Sequence, residues 1–198
     1  DGGVGGVEGF SAVRGSAVLR CWVGLGGARM PSREQLQRIW DEVALSREDA
    51  QAQLVLGKMV VRRFRGRLYV LPERRSLKDQ ILCWDPAEKL TLPDGLGCLI
   101  ADHVLIAQGA DCLIRQPRAG EKITVRFQVQ GYIEKVGRDR ARQAKKLWSE
   151  LGVPPWERGR IPLVYYNDQL MAAPGWFITR QSRAENNEAQ WRIIWSAA

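Results

Sequence analysis

Twelve lysines and arginines lie between positions 115 and 160 against five acids, a local charge of +7 in a 198-residue chain whose formal total is +8. The cations singled out as phosphate donors are Arg115, Arg118, Lys122, Arg126, Lys135, Arg138, Arg142, Lys145, Lys146, Arg158 and Arg160. Guanidinium and ammonium groups bind phosphate oxygens through charge-assisted hydrogen bonds and displace condensed counterions. The plain alternative is a solvated basic face on an ordinary core helix, but so local a bias suits a polyanion better than water. Arg115, Arg118, Arg158 and Arg160 stand at turns or after prolines, positions that can project a side chain into a shallow groove. A second cluster, Arg62, Arg63, Arg65 and Arg67 around Phe64, has two readings: it grips phosphate and stacks on a base, or it blunts an exposed sheet edge. Both stay open.

One stretch must position the main cluster: KVGRDRARQAKKLWSELGVPPWERGRIP, from Lys135 to Pro162. At 100° per residue, Ala141, Ala144, Leu147, Trp148 and Leu151 fall on one side of a helix, while Arg138, Arg142, Lys145 and Lys146 fall on the other. Asp139 is the expected N-cap and Gly152 the expected stop. Pro154-Pro155 then breaks the helix, because proline lacks an N–H donor.

Upstream, Asp1–Gly9 is five-ninths glycine and reads as a flexible lead-in; lacking a methionine start, the chain reads as the tail of something longer. Ser11–Leu25 carries a helical apolar pattern, and a second helix starts at Ser32, with Gln35 in the capping-box position and Leu36, Ile39, Trp40 and Val43 as its stripe. The two helices should pack antiparallel. Leu54–Leu56, Met59–Phe64 and Leu68–Leu71 then read as a three-strand meander turned at Gly57-Lys58 and Arg65-Gly66. Pro72–Asp85 has the composition of a linker that becomes structured near Ile81. Beyond it, Leu90–Leu92, Cys98–Ile100, Val104–Ile106, Cys112–Ile114 and Thr124–Phe127 read as strands, as do Leu163–Tyr166, Leu170–Ala173, Trp176–Ile178 and Trp191–Trp195. Gln181–Glu188 reads as a loose polar loop. The expected class is α+β: a small helical domain with a β meander, then a mixed α+β domain with one basic amphipathic helix. The boundaries are 1–9 lead-in, 10–75 first domain, 76–86 linker and 87–198 second domain.

The run from Lys145 to Trp156, with Arg158, Arg160 and Pro162 behind it, resembles the C-terminal domain of tRNA(Ile)-lysidine synthetase. So do the flanking Val136-Gly137-Arg138 and Leu163-Val164-Tyr165-Tyr166. Ser32–Trp40, Glu42–Leu45, Arg47–Ala50 and Val61–Phe64 resemble the middle domain of the same family, in the same order. The resemblance implies a tRNA partner, isoleucine tRNA with a CAU anticodon, whose wobble cytidine the family joins to lysine using ATP. It places that chemistry, with its ATP and magnesium, in a preceding N-terminal domain, so this chain by itself is expected to be inactive and to hold no cofactor.

The residues agree with that division. No Walker sequence and no Ser-Gly-Gly-x-Asp-Ser loop is present, and Gly24-Leu25-Gly26-Gly27 lacks a following lysine or serine. His103 is the single histidine and reads as a surface or turn residue without a catalytic partner. Cys21, Cys83, Cys98 and Cys112 form no CxxC pair, which argues against zinc and for reduced core thiols in a cytoplasmic protein. No apolar run approaches the roughly 20 residues that span a bilayer, so no membrane is expected. A stand-alone RNA-binding module is the alternative function, and a protein-interaction or membrane-surface domain is a third. A homodimer is left open.

Overall fold

The computed structural model describes residues 30–47, 52–103, 112–129, 131–137 and 139–197. The chain divides into two compact units, Asp1–Arg75 and Ser76–Ala198. The expected lead-in, the helix over Ser11–Leu25 with its antiparallel packing, the strand Val104–Ile106 and the side chain of Arg138 lie outside the described residues.

In the first unit, helix α1 spans Arg33–Arg38 and is closed by the capping box read from Ser32 and Gln35. The Gln35 amide donates to Ser32 Oγ at 3.2 Å, and the Ser32 amide donates to Gln35 Oε1 at 2.9 Å. The helix widens into a π-helical turn over Ile39–Ala44. Its stripe of Leu36, Ile39 and Val43 packs against Leu54, Leu56, Val61, Leu68 and Val70 of a three-stranded antiparallel meander. That meander is β1 (Gln53–Leu56), β2 (Met59–Phe64) and β3 (Arg67–Pro72), in that order. Arg65 and Gly66 both take positive φ, 49° and 75°, as a two-residue hairpin twisted with its strands requires.

The second unit holds two antiparallel sheets and a short ribbon. The strands are β4 (Ile81–Cys83), β5 (Leu90–Thr91), β6 (Cys98–Asp102), β7 (Leu113–Arg115), β8 (Ile123–Arg126), β9 (Tyr132–Ile133) and β10 (Arg142–Gln143), then β11 (Leu163–Tyr166), β12 (Gln169–Ala173), β13 (Phe177–Ile178) and β14 (Gln190–Ser196). One sheet runs β13-β12-β11-β8-β4, the other β5-β6-β14-β7, and β9 pairs with β10. All four β11 residues are buried. The strand alternates between two cores: Val164 and Tyr166 join Phe127, Met171, Trp191 and Ile193, while Leu163 and Tyr165 join Ile133, Leu147, Trp148 and Phe177. The two short helices are α2 (Ala144–Glu150) and α3 (Pro155–Arg158).

Five expectations change. The stretch 76–86 is not a linker: structure sets in near Ile81 as expected, with Ile81–Cys83 an edge strand on β8, but Leu77 before it and Trp84 after it are core residues. The basic helix starts at Ala144, not at an Asp139 cap, because Arg142 and Gln143 pair with Ile133 and Tyr132 as β10. The double proline ends α2 as expected but also starts α3, with Pro155 in the first turn, where its missing N–H costs nothing. Gln181–Glu188 is tied down at both ends: Arg180–Ser182 forms a 3-10 turn around a fully buried Ser182, and Glu188 meets Arg118. Of the described cysteines, Cys112 is buried as expected, but Cys83 is exposed on the edge strand.

Candidate nucleic-acid interface

The amphipathic split of α2 follows from its spacing. Leu147 and Trp148 are buried, and Trp148 packs edge-on against Trp176 at 6.5 Å and against Phe177 at 5.4 Å. Lys145 and Lys146 lie on the opposite face, exposed, with no ion-pair partner among the described residues. Arg142, one register position into the β9–β10 ribbon, is exposed and only loosely paired with Glu150 at 3.7 Å. Lys122 is exposed before β8, and Lys135 is half-buried where it bridges Thr179. Arg140, which the spacing argument did not single out, is exposed two residues before β10.

The other candidates are committed elsewhere. Arg115 is 3% exposed, donates from Nη1 and Nη2 to the Glu121 carboxylate at 2.5 and 2.9 Å, and sits 5.2 Å over the Tyr166 ring. Its own carbonyl accepts from Tyr166 Oη at 2.7 Å, and Tyr166 in turn accepts from Trp191 Nε1 at 3.0 Å. Burial pushes the Tyr166 phenol well up, so the chain of donors stays protonated. Arg160 is 8% exposed and bound to Asp94 at 2.7 Å. Arg158 donates to the Val153 carbonyl at 3.0 Å, closing the double-proline turn, and burial lowers its pKa. Arg118 is exposed but held bidentate by Glu188 at 3.0 and 2.7 Å. These four are therefore not free arms at the rim of a groove. The sequence carries no sign of this, because their carboxylate and carbonyl partners lie up to 70 residues away.

Arg126 has an intermediate position. Its guanidinium lies 4.5 Å over the Tyr165 ring and donates to Asp168 and to the Asn167 carbonyl, both at 3.1 Å. In the first unit, Arg63 donates to the Ser46 carbonyl and Arg62 is half-buried, its pKa lowered by burial. Arg65 and Arg67 remain exposed at the hairpin tip, with Arg65 5.3 Å over Phe64. His103 is exposed, its Nδ1 3.1 Å from the Gln116 amide. Among the described residues no group of three or more His, Cys, Asp or Glu is placed to hold a metal.

Exposed cations are gathered on one short helix and its ribbon, with no acid set against most of them, which is the charge pattern of a phosphate-facing surface. Residues 4–69 match the family model described as the TilS substrate binding domain, and residues 123–195 match the TilS substrate C-terminal domain. The chain belongs to the TilS family. It is 49% identical over 187 residues to the tRNA(Ile)-lysidine synthase of Edwardsiella ictaluri, covering 94% of this chain and 41% of that protein. It is 49% identical over 185 residues to that of Serratia proteamaculans, covering 93% and 41%, and 48% identical over 193 residues to that of Pectobacterium atrosepticum, covering 97% and 42%. The chain thus spans well under half the length of these curated relatives. A crystal structure of a TilS C-terminal domain is similar to it at 20% identity and a TM-score of 0.47, over 58% of this chain and 92% of that one.

Proposed function

We propose that these 198 residues are the tRNA-recognition part of a tRNA(Ile)-lysidine synthetase and hold the isoleucine tRNA with a CAU anticodon for a catalytic domain outside them. The observation that carries the reading is the exposed row Arg142, Lys145 and Lys146 on the segment that matches the family's substrate C-terminal domain. Those cations supply affinity through phosphate contacts and counterion release. The sequence offers no nucleotide loop, so activation of the wobble cytidine by ATP and magnesium and the attachment of lysine belong to the remainder of the protein. A protein that works on tRNA belongs in the cytoplasm. No helix among the described residues is long and apolar enough to cross a membrane.

The test is direct titration of the chain with isoleucine tRNA across a salt series. Binding that weakens linearly on a log–log plot, with no ATP hydrolysis and no lysine incorporation by the chain alone, is the expected result. Binding to anionic vesicles but not to tRNA would replace this reading with a membrane-surface role, and lysine incorporation by the chain alone would relocate the catalysis.

A further inference from the structure

The face of the five-stranded sheet carries an open cleft of roughly 580 Å³ whose lining comes from β8, β11 and β12, from the ribbon around β9, and from the segment Lys78–Ile81. One wall includes the Arg126 guanidinium, 4.5 Å from the centre of the Tyr165 ring and held by Asp168 and the Asn167 carbonyl. Another includes Tyr132, which is 70% exposed although its neighbour Ile133 is a core residue. A large, unsupported aromatic ring and an immobilised guanidinium plane are the two kinds of surface on which unpaired RNA bases stack. The side-chain amides of Gln128 and Gln169 also line the cleft with no partner among the described residues, leaving donors and acceptors for a base edge.

The charge of the lining separates base from phosphate. Lys78 and Arg126 face three carboxylates, Asp79, Glu134 and Asp168, so the cleft does not favour a polyanion. The exposed cations belong to the neighbouring strand and helix: Tyr132 pairs in register with Gln143 and Ile133 with Arg142, and Lys145 and Lys146 follow on α2. The ribbon thus joins the strand that carries Tyr132 to the strand that runs into the cationic helix.

We propose that this cleft receives a single unpaired base of the bound RNA, stacked on Tyr132 and read by Gln128 and Gln169, while the sugar–phosphate backbone stays on Arg142, Lys145 and Lys146. The proposal rests on the RNA-binding reading above and adds to it a second kind of interaction, neutral and insensitive to salt.

The experiment compares the full chain's affinity for a blunt RNA duplex with its affinity for the same duplex carrying a one-nucleotide bulge, prepared with each of the four bases, alongside isoleucine tRNA. At least one bulged duplex should bind roughly tenfold or more tighter than the flush one, the size of one base–aromatic stack. Tyr132→Ala should erase that preference without changing the salt slope, Tyr132→Phe should keep it, and Gln169→Ala should alter which base is preferred. Adenosine monophosphate should not compete. Equal binding of all duplexes, or a preference that survives both Tyr132→Ala and Gln169→Ala, overturns the cleft while leaving the phosphate row standing. Tyr132-dependent binding of free adenosine monophosphate would make it a mononucleotide site instead. Absence of salt-dependent binding to tRNA and to every duplex would overturn the RNA reading itself.

Discussion

Arg115 and Glu121, six residues apart across a turn, close a two-pronged ion pair beneath the second unit's surface, with N–O distances of 2.5 and 2.9 Å. The Glu121 carboxylate also accepts from the Arg118 amide at 2.7 Å, and the Arg115 Nε donates to the Gln181 carbonyl at 3.2 Å. One buried guanidinium therefore joins the turn before β8 to the 3-10 turn before β14. Removing Arg115 leaves the mostly covered Glu121 carboxylate, 16% exposed, without its partner, a loss on the order of 1–3 kcal/mol. Arg115→Ala should lower the thermal midpoint sharply, while the fraction that remains folded binds tRNA as before. A stable Arg115→Ala protein with weakened tRNA binding would return this residue to the interface.

Acid should loosen the same corner. The Arg115 guanidinium holds Glu121 below the usual carboxylate range, and the Arg118 guanidinium, with the Glu185 amide, holds Glu188 down to about 2. Both folded-state values are depressed, so their stabilisation is fully present above the ordinary glutamate range near 4.5 and is lost as pH falls toward 2. Unfolding followed by tryptophan fluorescence should show a midpoint that falls with pH across that window. Glu188→Gln should flatten part of the dependence, and an unchanged acid profile would show that the pair adds nothing to folding.

Helix α2 should separate stability from affinity. Trp148→Ala removes a ring packed against Trp176 and Phe177 and should cost about 3–5 kcal/mol. Lys145→Ala combined with Lys146→Ala touches only exposed charge and should leave stability within about 0.5 kcal/mol. The lysine variant should instead weaken every tRNA alike and reduce the salt slope by about 0.7–0.9 for each phosphate it no longer neutralises. Comparable unfolding midpoints for the tryptophan and lysine variants would reverse the face assignment.

Selection among tRNAs should not depend on the four arginines that the spacing singled out. Arg158→Ala frees the Val153 carbonyl and Arg160→Ala removes a buried side chain with its tie to Asp94, so both should lower stability while keeping the preference between isoleucine and methionine tRNAs of the same CAU anticodon. Arg118→Ala should leave that ratio unchanged as well, since Glu188 already occupies its guanidinium. A competition assay in which any of the three shifts the ratio would restore it as a base reader.

Much of this molecule was legible in order along the chain. The Ser32 cap, the meander with its Arg65-Gly66 turn, the strands from Leu163 to Ala173 and the buried face of Leu147 and Trp148 all rest on contacts within a few residues, where period and turn chemistry act directly. The basic row and the family resemblance were legible for the same reason, since both reside in consecutive residues. What only the tertiary structure decided was how each charge is used. Whether an arginine binds phosphate or buttresses the fold depends on a carboxylate or carbonyl brought to it from afar: Arg115 by Gln181, Arg160 by Asp94, Arg118 by Glu188. The start of α2 was decided the same way, by Tyr132 and Ile133 claiming Arg142 and Gln143 for a ribbon, and so was the burial of Leu77 in a stretch of linker composition. Sequence periodicity records which side of an element is apolar; it holds no record of which distant group will neutralise a charge on the other side.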